Sequence, residues 1–400
     1  MVRMNNLQND GWDFSELKYI SLTDDELTRY RLEVGDLLFN RTNSKELVGK
    51  CERFAEHGDW AFASYLIRVR LDPSKVQSQY VSDFLGTRAG RLQIDRMSRQ
   101  IIGMTNINAE ELKDIQLPLP PLAKQNQLVA SMNAARTKRR AKLAEADALL
   151  AGLDGFLLAA LGISVPRKDE RKVFAVTLGG VRTRVDADFH SPRFRAIRDG
   201  IERGTFVVRP LSDLCIGFES GFAAGQQDQA FDYDTGVPHL RPLNLSAQGE
   251  LSLESTKWVP KLAVSARDHC HRGEVLFNNT NSAEMVGKSA VFEFEQPCAC
   301  SNHMTRLRTR DGVSPYYLAT LFNALRSLGY LSLLATKFNN QAGINLDTLR
   351  PLRIPAPPLA VQETIAAEAR RRRDEARRLR REAEGDWQDA KRWFEAQLLG

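Results

Sequence analysis

A long internal repeat constrains this 400-residue chain more than any other feature. The segment FNRTNSKELVGK at residues 39–50 returns as FNNTNSAEMVGK at residues 277–288, with nine of twelve positions identical at a spacing of 238 residues. The same spacing aligns residues 2–7 with residues 240–245. Solenoid repeats have periods of about 20–50 residues, so a spacing this long indicates a duplicated domain.

Both halves show the same order of predicted elements. Alternating apolar segments such as DLLFN, YLIRVRL, EVLFN, SAVFEF and MTRLRTR predict short β-strands of a mixed domain. A proline-rich segment ends this part of each half. It is LPLPPL at residues 117–122 and IPAPPL at residues 354–359. A helical pattern begins there in each half, because proline is accepted at the start of a helix but not in its interior.

The two helical patterns cover residues 123–161 and 360–399. Their apolar residues recur every three or four positions, as in a heptad seam, and Arg136 and Arg139 interrupt the first seam. Neither pattern is apolar all round, so each helix needs a partner, and the other helix is the simplest one. The sequence therefore predicts an α+β fold, with two mixed α/β domains joined by two long antiparallel coiled-coil helices.

The predicted domain boundaries follow from this order. They are residues 1–121 for the first domain, 122–163 for the first helical spacer, 164–178 for a linker, 179–358 for the second domain and 359–400 for the second spacer. About 55 residues of the second half, including LSDLCIGFESG, have no counterpart ahead of Met1. Two interpretations are open: the first domain lacks its early strands, or the start of the protein lies upstream of Met1.

Composition narrows the class of protein. The net charge of +6 and the pI of about 9.1 give a mild bias toward an anionic partner such as nucleic acid. An odd count of five cysteines is typical of reduced thiols in a cytoplasm. No stretch of about 18 apolar residues predicts a membrane span, and the N-terminal residues show no secretory signal.

The order of variable domain, proline-marked motif and long helix, given twice, resembles the specificity subunit of type I restriction–modification enzymes. The residues that carry the resemblance are GDLLFNRTNS with GEVLFNNTNS, the motifs PLPPLAKQ and PAPPLAVQ, the LG that ends each helical pattern, and RVDADFHSP before the second domain. The resemblance covers nearly the whole chain. It implies two target-recognition domains, each of which reads half of a split DNA sequence, and two helices that set the gap.

The resemblance also implies partners. They are double-stranded DNA, two methyltransferase subunits and ATP-dependent restriction subunits, with no membrane. The chain itself is expected to hold no cofactor and no catalytic site, because S-adenosylmethionine, ATP and magnesium would belong to the partner subunits. A different interpretation remains open, in which the chain is a coiled-coil scaffold of a defence complex that does not itself read DNA.

The repeated segment supplies the first candidate residues for DNA contact. They are Arg41, Thr42, Asn43, Ser44 and Lys50 in the first copy, and Asn279, Thr280, Asn281, Ser282 and Lys288 in the second. Such side chains donate to phosphates and base edges. The alternative is a corner that the fold requires, with no role in binding. A phosphate-binding loop is disfavoured, because serine replaces its first glycine in both copies.

Further polar side chains form three smaller candidate sets. They are Arg99, Gln100 and Thr105 with Lys337, Asn339, Asn340 and Gln341; Arg3 and Asn6 with Arg241 and Asn244; and Asn302 with His303. The arginine-rich run at residues 370–381 suits either DNA or a protein interface. No metal site is predicted, because the adjacent His269, Cys270 and His271 cannot easily supply several tetrahedral ligands.

Overall fold

The computed structural model describes residues 1–8, 11–44, 47–101, 104–165, 171, 173–181, 184–225 and 234–399. The chain forms two compact units. Unit 1 consists of Met1–Ala146 and Arg378–Gly400, and unit 2 consists of Asp147–Arg377. Each unit therefore contains the start of one long helix and the end of the other. In the described parts of the chain no helix is long and apolar enough to cross a membrane.

The first half of the chain forms thirteen α-helices and β-strands within its described residues. They are β1 (Leu7–Gln8), β2 (Gly11–Trp12), α1 (Asp24–Tyr30), β3 (Leu37–Asn40), β4 (Thr42–Asn43), β5 (Cys51–Arg53), β6 (Leu66–Val69), α2 (Ser78–Leu85), α3 (Arg88–Met97), β7 (Arg99–Ile101), β8 (Met104–Asn106), α4 (Ala109–Lys113) and α5 (Leu122–Ala160).

The second half begins with helices and later follows the order of the first half, with further strands added. Its elements are α6 (Ala187–His190), α7 (Pro192–Glu202), β9 (Val208–Pro210), α8 (Leu211–Leu214), β10 (Cys215–Ser220), β11 (Gly236–Leu240), β12 (Lys257–Pro260), β13 (Val275–Asn278), β14 (Thr280–Asn281), β15 (Ser289–Val291), β16 (Ala299–Cys300), β17 (Met304–Thr309), α9 (Pro315–Ser327), α10 (Tyr330–Leu334), β18 (Thr336–Phe338), β19 (Gln341–Gly343), α11 (Leu346–Leu349), β20 (Arg353–Pro355) and α12 (Leu359–Leu399).

The central sheets confirm the predicted strands and the repeat. Unit 1 has the strand order β5-β3-β6, and unit 2 has β10-β17-β13-β15. Leu37 pairs with Val69 in unit 1, and Val275 pairs with Leu307 in unit 2, so the register is the same at a spacing of 238 residues. Strands β3 and β13 are buried along their whole length, which explains their run of apolar residues.

The long helices confirm the predicted spans, and their ends pack inside the units. In unit 1, Phe394 of α12 packs against Tyr80 of α2 with ring centroids 5.7 Å apart. Elsewhere along the two helices of unit 1, Lys142 lies 3.0 Å from Glu382 and Lys138 lies 3.0 Å from Asp386. In these pairs the residue number falls along α12 as it rises along α5, so these helix segments of unit 1 run antiparallel.

Arg136 does not simply interrupt the helical seam. Its guanidinium pairs with Asp83 of α2, whose side chain is fully buried, and lies 5.3 Å from the centre of the Trp387 ring. Burial raises the pKa of Asp83, and the charge of Arg136 opposes that rise. The buried carboxylate therefore needs the arginine, which makes this seam position a structural ion pair.

A buried glutamine fixes the start of each long helix. In unit 1, the Gln125 amide accepts from the Gln77 backbone N–H at 2.9 Å and donates to the carbonyls of Lys75 and Pro120. In unit 2, Gln362 accepts from the Ser314 backbone N–H at 2.9 Å and donates to the carbonyls of Gly312 and Pro357. The glutamine of each PPLAxQ motif thus satisfies three backbone groups.

We expect Gln362→Ala to lower the free energy of unfolding of unit 2 by about 2 kcal/mol, because it leaves buried backbone groups without partners. Hydrogen exchange of the α9 amides measures this loss locally. Gln248, an exposed amide of the same unit, gives the matched control, since Gln248→Ala removes no buried polar group. Equal exchange in both variants would show that the glutamine is not a structural anchor.

Candidate nucleic-acid interface

The repeated polar segment forms a strand-to-loop corner in both units. The side-chain amide of Asn40 donates to the Leu47 carbonyl at 3.0 Å, and that of Asn278 donates to the Met285 carbonyl at 2.9 Å. Gly49 and Gly287 follow with φ of +83° and +93°, a conformation that favours glycine. A phosphate-binding loop leads into a helix, whereas these corners lead into strands β5 and β15, which excludes that interpretation.

The corner joins a second candidate segment in a small sheet. In unit 2, β14 pairs with β19, and β19 pairs with β18, so that Thr280 lies opposite Gly343. In unit 1, β4, β8 and β7 form the same arrangement, with Thr42 opposite Asn106. Two sets of candidate residues that are about 60 positions apart in sequence are therefore brought together by the fold in each unit.

The hairpin β18–β19 is the most exposed part of this sheet in unit 2. Its residues from Thr336 to Gln341 are all exposed, and Phe338 keeps 47% of its surface accessible. Asn339 and Asn340 form the turn with φ of +41° and +63°, as two-residue hairpin turns require. Lys337 forms an ion pair with Asp188 of α6. The tip presents amides and a cation to solvent, and we call residues 336–341 the hairpin tip.

The equivalent hairpin of unit 1 contains Arg99 and Gln100 in β7 and Thr105 in β8. The backbone register places Gln100 opposite Thr105, and Asn43 of β4 opposite Thr105 on the other side. Thr42 donates its hydroxyl to the Asn106 amide oxygen at 2.9 Å. The sheet of unit 1 thus places these polar residues on adjacent strands.

A second candidate surface surrounds a cavity of about 230 Å³ in unit 2. Arg241, Asn302 and His303 line it, and the last two are exposed, so the fold joins two further predicted sets. Lys257 and Trp258 of β12 line the same cavity and were missed from the sequence. Their counterparts in the first half are not a lysine and a tryptophan, so the repeat gave no signal for them.

Four of the predicted contact residues need a correction, because their polar groups bond inside their own domain. Asn6 donates to the carbonyls of Asp13 and Glu16, and Asn244 donates to those of Ser252 and Glu254. Asn279 donates to the Asn302 carbonyl and to the Thr305 hydroxyl. Lys288 donates to the carbonyls of Pro242 and Leu245, and burial lowers its pKa. All four are buried and hold loops in place.

The remaining predicted residues lie at intermediate positions. Arg3 and Arg241 are half-buried, and each donates to a carbonyl of the following loop. Arg41 donates weakly to Asn106, Asn281 accepts from the Ser282 backbone N–H, and Ser44 and Ser282 begin the turns of the corners. Lys50 is half-buried, and burial lowers its pKa. Their contact with DNA remains a prediction.

The arginine-rich run is largely engaged by neighbouring acids. Hydrogen bonds from Arg371 and Arg372 lower the pKa of Glu368 to about 2. Arg377 pairs with Asp374 and lies 3.5 Å from Glu250 in unit 2. These contacts favour a structural role for this part of the helix over a free cationic surface.

The cysteine and histidine residues show no metal cluster in the described part of the chain, where no group of three or more His, Cys, Asp or Glu side chains could hold an ion. Cys270, Cys298 and Cys300 lie together in an apolar cluster. A hydrogen bond to the Cys300 side chain, together with burial, raises the pKa of the Cys270 thiol, so the thiol stays protonated.

Comparison with known proteins supplies the family context. The chain is 31% identical over 112 residues to the StySPI specificity subunit of a type I restriction enzyme from Salmonella potsdam, a match that covers 28% of this chain. It is 26% identical over 132 residues to the EcoKI specificity subunit of a type I restriction enzyme from Escherichia coli, a match that covers 32% of this chain. The chain is similar to type I restriction enzyme specificity subunits. The resemblance that its repeated motifs predict is thereby confirmed.

The extent of these matches is limited. They span 24% and 28% of the lengths of the two relatives, less than a third of each. No protein-family model matches the chain. A solved chain from a study of complex assembly and conformational transition of the type I R-M system has the same fold, with a TM-score of 0.56 and 15% sequence identity. That likeness covers 99% of this chain and 89% of the solved one, and it confirms the predicted mixed fold class.

Proposed function

We propose that the chain is the DNA-reading specificity subunit of a type I restriction–modification complex and reads a target in two parts. One observation carries the proposal. Both units build the same three-stranded polar sheet, β4-β8-β7 and β14-β19-β18, from two distant segments of the chain. Two similar sheets in one chain suit two similar half-sites on a duplex.

The chemistry of the hairpin tip supports DNA as its ligand. The major groove of B-DNA admits a two-stranded β-ribbon, and asparagine or glutamine pairs with the edge of adenine through two hydrogen bonds. Asn339, Asn340 and Gln341 provide such amides at the tip, and phosphate would compete with Asp188 for the Lys337 ammonium. The second candidate surface adds Arg241 and His303 in the same unit.

The partners of the chain follow from the relatives and are proposed on that ground. Two methyltransferase subunits and ATP-dependent restriction subunits would join the chain in a cytoplasmic complex. The chain would act without catalysis of its own. Any base that is methylated would be flipped into a pocket of the methyltransferase subunit, which would also bring S-adenosylmethionine.

A salt-dependent gel shift on a pool of random duplexes tests this proposal. The chain should be purified together with a methyltransferase subunit, because the specificity chain alone is expected to bind weakly. We expect enrichment of a split motif with a fixed gap and affinity that falls as salt rises. Absence of enrichment at every salt concentration would favour the scaffold that does not read DNA.

A further inference from the structure

The hairpin β18–β19 of unit 2 carries one large apolar residue to which the proposed function gives no role. Phe338 is the last residue of β18 and keeps 47% of its surface accessible. Lys337 precedes it and Asn339 follows it, so its neighbours along the chain are polar. Single apolar residues at a protein surface are common. The exposure of Phe338 therefore gains meaning only from the place of its ring in the sheet.

The strand register separates the two faces of this sheet. Residues that pair directly across antiparallel strands point to the same face, and neighbours along one strand point to opposite faces. Lys337 pairs with Ala342, and Ala342 is fully buried in the apolar core of unit 2. This face therefore lies toward the body of the unit, and Lys337 on this face pairs with Asp188.

The opposite face points away from that core. Thr336 pairs with Gly343, which in turn pairs with Thr280 of β14. Phe338 pairs with Gln341 directly beside the turn. Because side chains alternate along each strand, all five residues belong to this outward face. Phe338 and Gln341 lie side by side on it, since the Cβ atoms of such pairs are about 4.5–5.5 Å apart.

A glycine provides the space for the Phe338 ring on the outward face. A Cβ atom added to Gly343 would lie 3.1 Å from Phe338 Cε1, so a side chain there would displace the ring. The ring therefore lies over the backbone of β19. Its remaining surface is accessible to any ligand that reaches Gln341.

An apolar group beside an amide matches one base pair in the major groove. Adenine presents N7 and N6 there, which a glutamine amide binds through two hydrogen bonds, and the paired thymine presents its 5-methyl group. Gln341 provides the amide, and the Phe338 ring provides apolar surface for the methyl group. Cytosine has no methyl group at this place, so apolar contact distinguishes thymine from cytosine.

We propose that Phe338 is a specificity-determining residue that contacts the 5-methyl group of a thymine. This thymine lies in the A·T pair whose adenine Gln341 binds, or in the pair next to it. The inference rests on the proposed function, because the methyl group is reached only if the hairpin tip enters the major groove. It assigns an A·T pair to the half-site that unit 2 reads.

Two other roles for the ring predict different behaviour. A wedge between base steps acts from the minor groove, where thymine has no methyl group, so its effect would not depend on that group. A purely structural role, in which the ring only covers the Gly343 backbone, would change the affinity for every duplex by the same factor. The response to the thymine methyl group therefore separates both roles from direct contact.

Deoxyuridine substitution tests the proposal on the chain in complex with a methyltransferase subunit. The A·T pair whose selection is relaxed by Gln341→Ala is first identified from a random duplex pool. Replacing the thymine of that pair, or of an adjacent pair, by deoxyuridine then removes only the methyl group. We expect the unchanged chain to bind the deoxyuridine duplex about fourfold more weakly, as the loss of one buried methyl group implies. Fluorescence anisotropy at fixed salt measures both affinities.

Variants of the chain assign this effect to one side chain. Phe338→Ala should bind the thymine and deoxyuridine duplexes equally, whereas Phe338→Leu keeps an apolar side chain and should still distinguish them. Leu262→Ala is the matched control, because Leu262 is a fully exposed apolar residue of the same unit, and it should keep the fourfold ratio. Melting temperatures show whether the variants are folded. A general loss of affinity cancels in the ratio of two affinities of one protein.

The outcomes separate this inference from the proposed function. Selection of no split motif would overturn the proposed function and this inference with it. A split motif would overturn the role of Phe338 alone in any of three cases. They are that no A·T pair depends on Gln341, that no tested thymine responds to the loss of its methyl group, or that Phe338→Ala keeps the fourfold ratio.

Discussion

Removing the side chains of the hairpin tip is expected to lower the affinity of the chain for its selected duplex about 100-fold, because two amide pairs with bases are lost at ~1–3 kcal/mol each. The variant combines Lys337→Ala and Gln341→Ala with Asn339→Gly and Asn340→Gly. Glycine is chosen at the turn because both asparagines have positive φ, where alanine would strain the backbone. Affinity is measured by anisotropy at fixed salt.

A control variant separates loss of contact from loss of fold. Gln248 is an exposed amide of the same unit that lies in neither candidate surface, so Gln248→Ala should leave affinity unchanged. Both variants should melt at the temperature of the unchanged chain. If the hairpin-tip variant binds the selected duplex as tightly as the control, the hairpin does not read the DNA.

Arg136→Met is expected to destabilise unit 1 by about 3–5 kcal/mol at neutral pH, because it leaves a buried charge without its partner. Asp83 then has no cation, and Glu52 nearby is also buried. Burial already raises the pKa of both carboxyl groups in the unchanged chain, and Arg136 holds both down. Exchange of the α2 amides measures the loss within unit 1.

The free energy of unfolding of Arg136→Met should depend on pH. With their pKa raised further in the folded state, Asp83 and Glu52 bind protons that the unfolded chain releases. The free energy of unfolding of the variant should therefore fall as pH rises above the unfolded pKa of the two groups, and the deficit should shrink toward acidic pH. Asp83→Leu combined with Arg136→Met should recover most of the loss.

Lys138→Met is the control for this prediction. Lys138 lies on α5, as Arg136 does, and the variant removes its ion pair with Asp386 of α12. However, 65% of the lysine side chain is exposed. Surface pairs contribute about 0–1 kcal/mol, so a small effect is expected. Equal losses for Lys138→Met and Arg136→Met would contradict the structural role of the buried pair.

Much of the fold could be predicted because its signals are periodic or repeated. The apolar runs at residues 37–40 and 275–278 gave the central strands, and the proline-rich segments gave the helix starts. The heptad pattern, however, could not show that Arg136 is buried. Its partner Asp83 lies on another helix, and the seam position alone is compatible with an exposed charge.

The candidate site was only partly accessible from sequence, for a physical reason. A polar residue that recurs in both halves is equally well explained by a shared corner or by a shared ligand. Asn244 and Lys288 recur because loops bond to them, whereas Asn339 and Asn340 stand at an exposed turn. Backbone pairing of β14 with β19 joins segments that no local pattern connects.

The most direct measurement is base selection from a random duplex pool by two complexes, one with the unchanged chain and one with the hairpin-tip variant of unit 2. Two similar sheets that each read one half-site predict a split motif for the unchanged chain. The variant should then lose information in one half of the motif and keep the other half at the same gap. Loss of both halves, or an unaltered motif, would contradict separate reading by the two sheets.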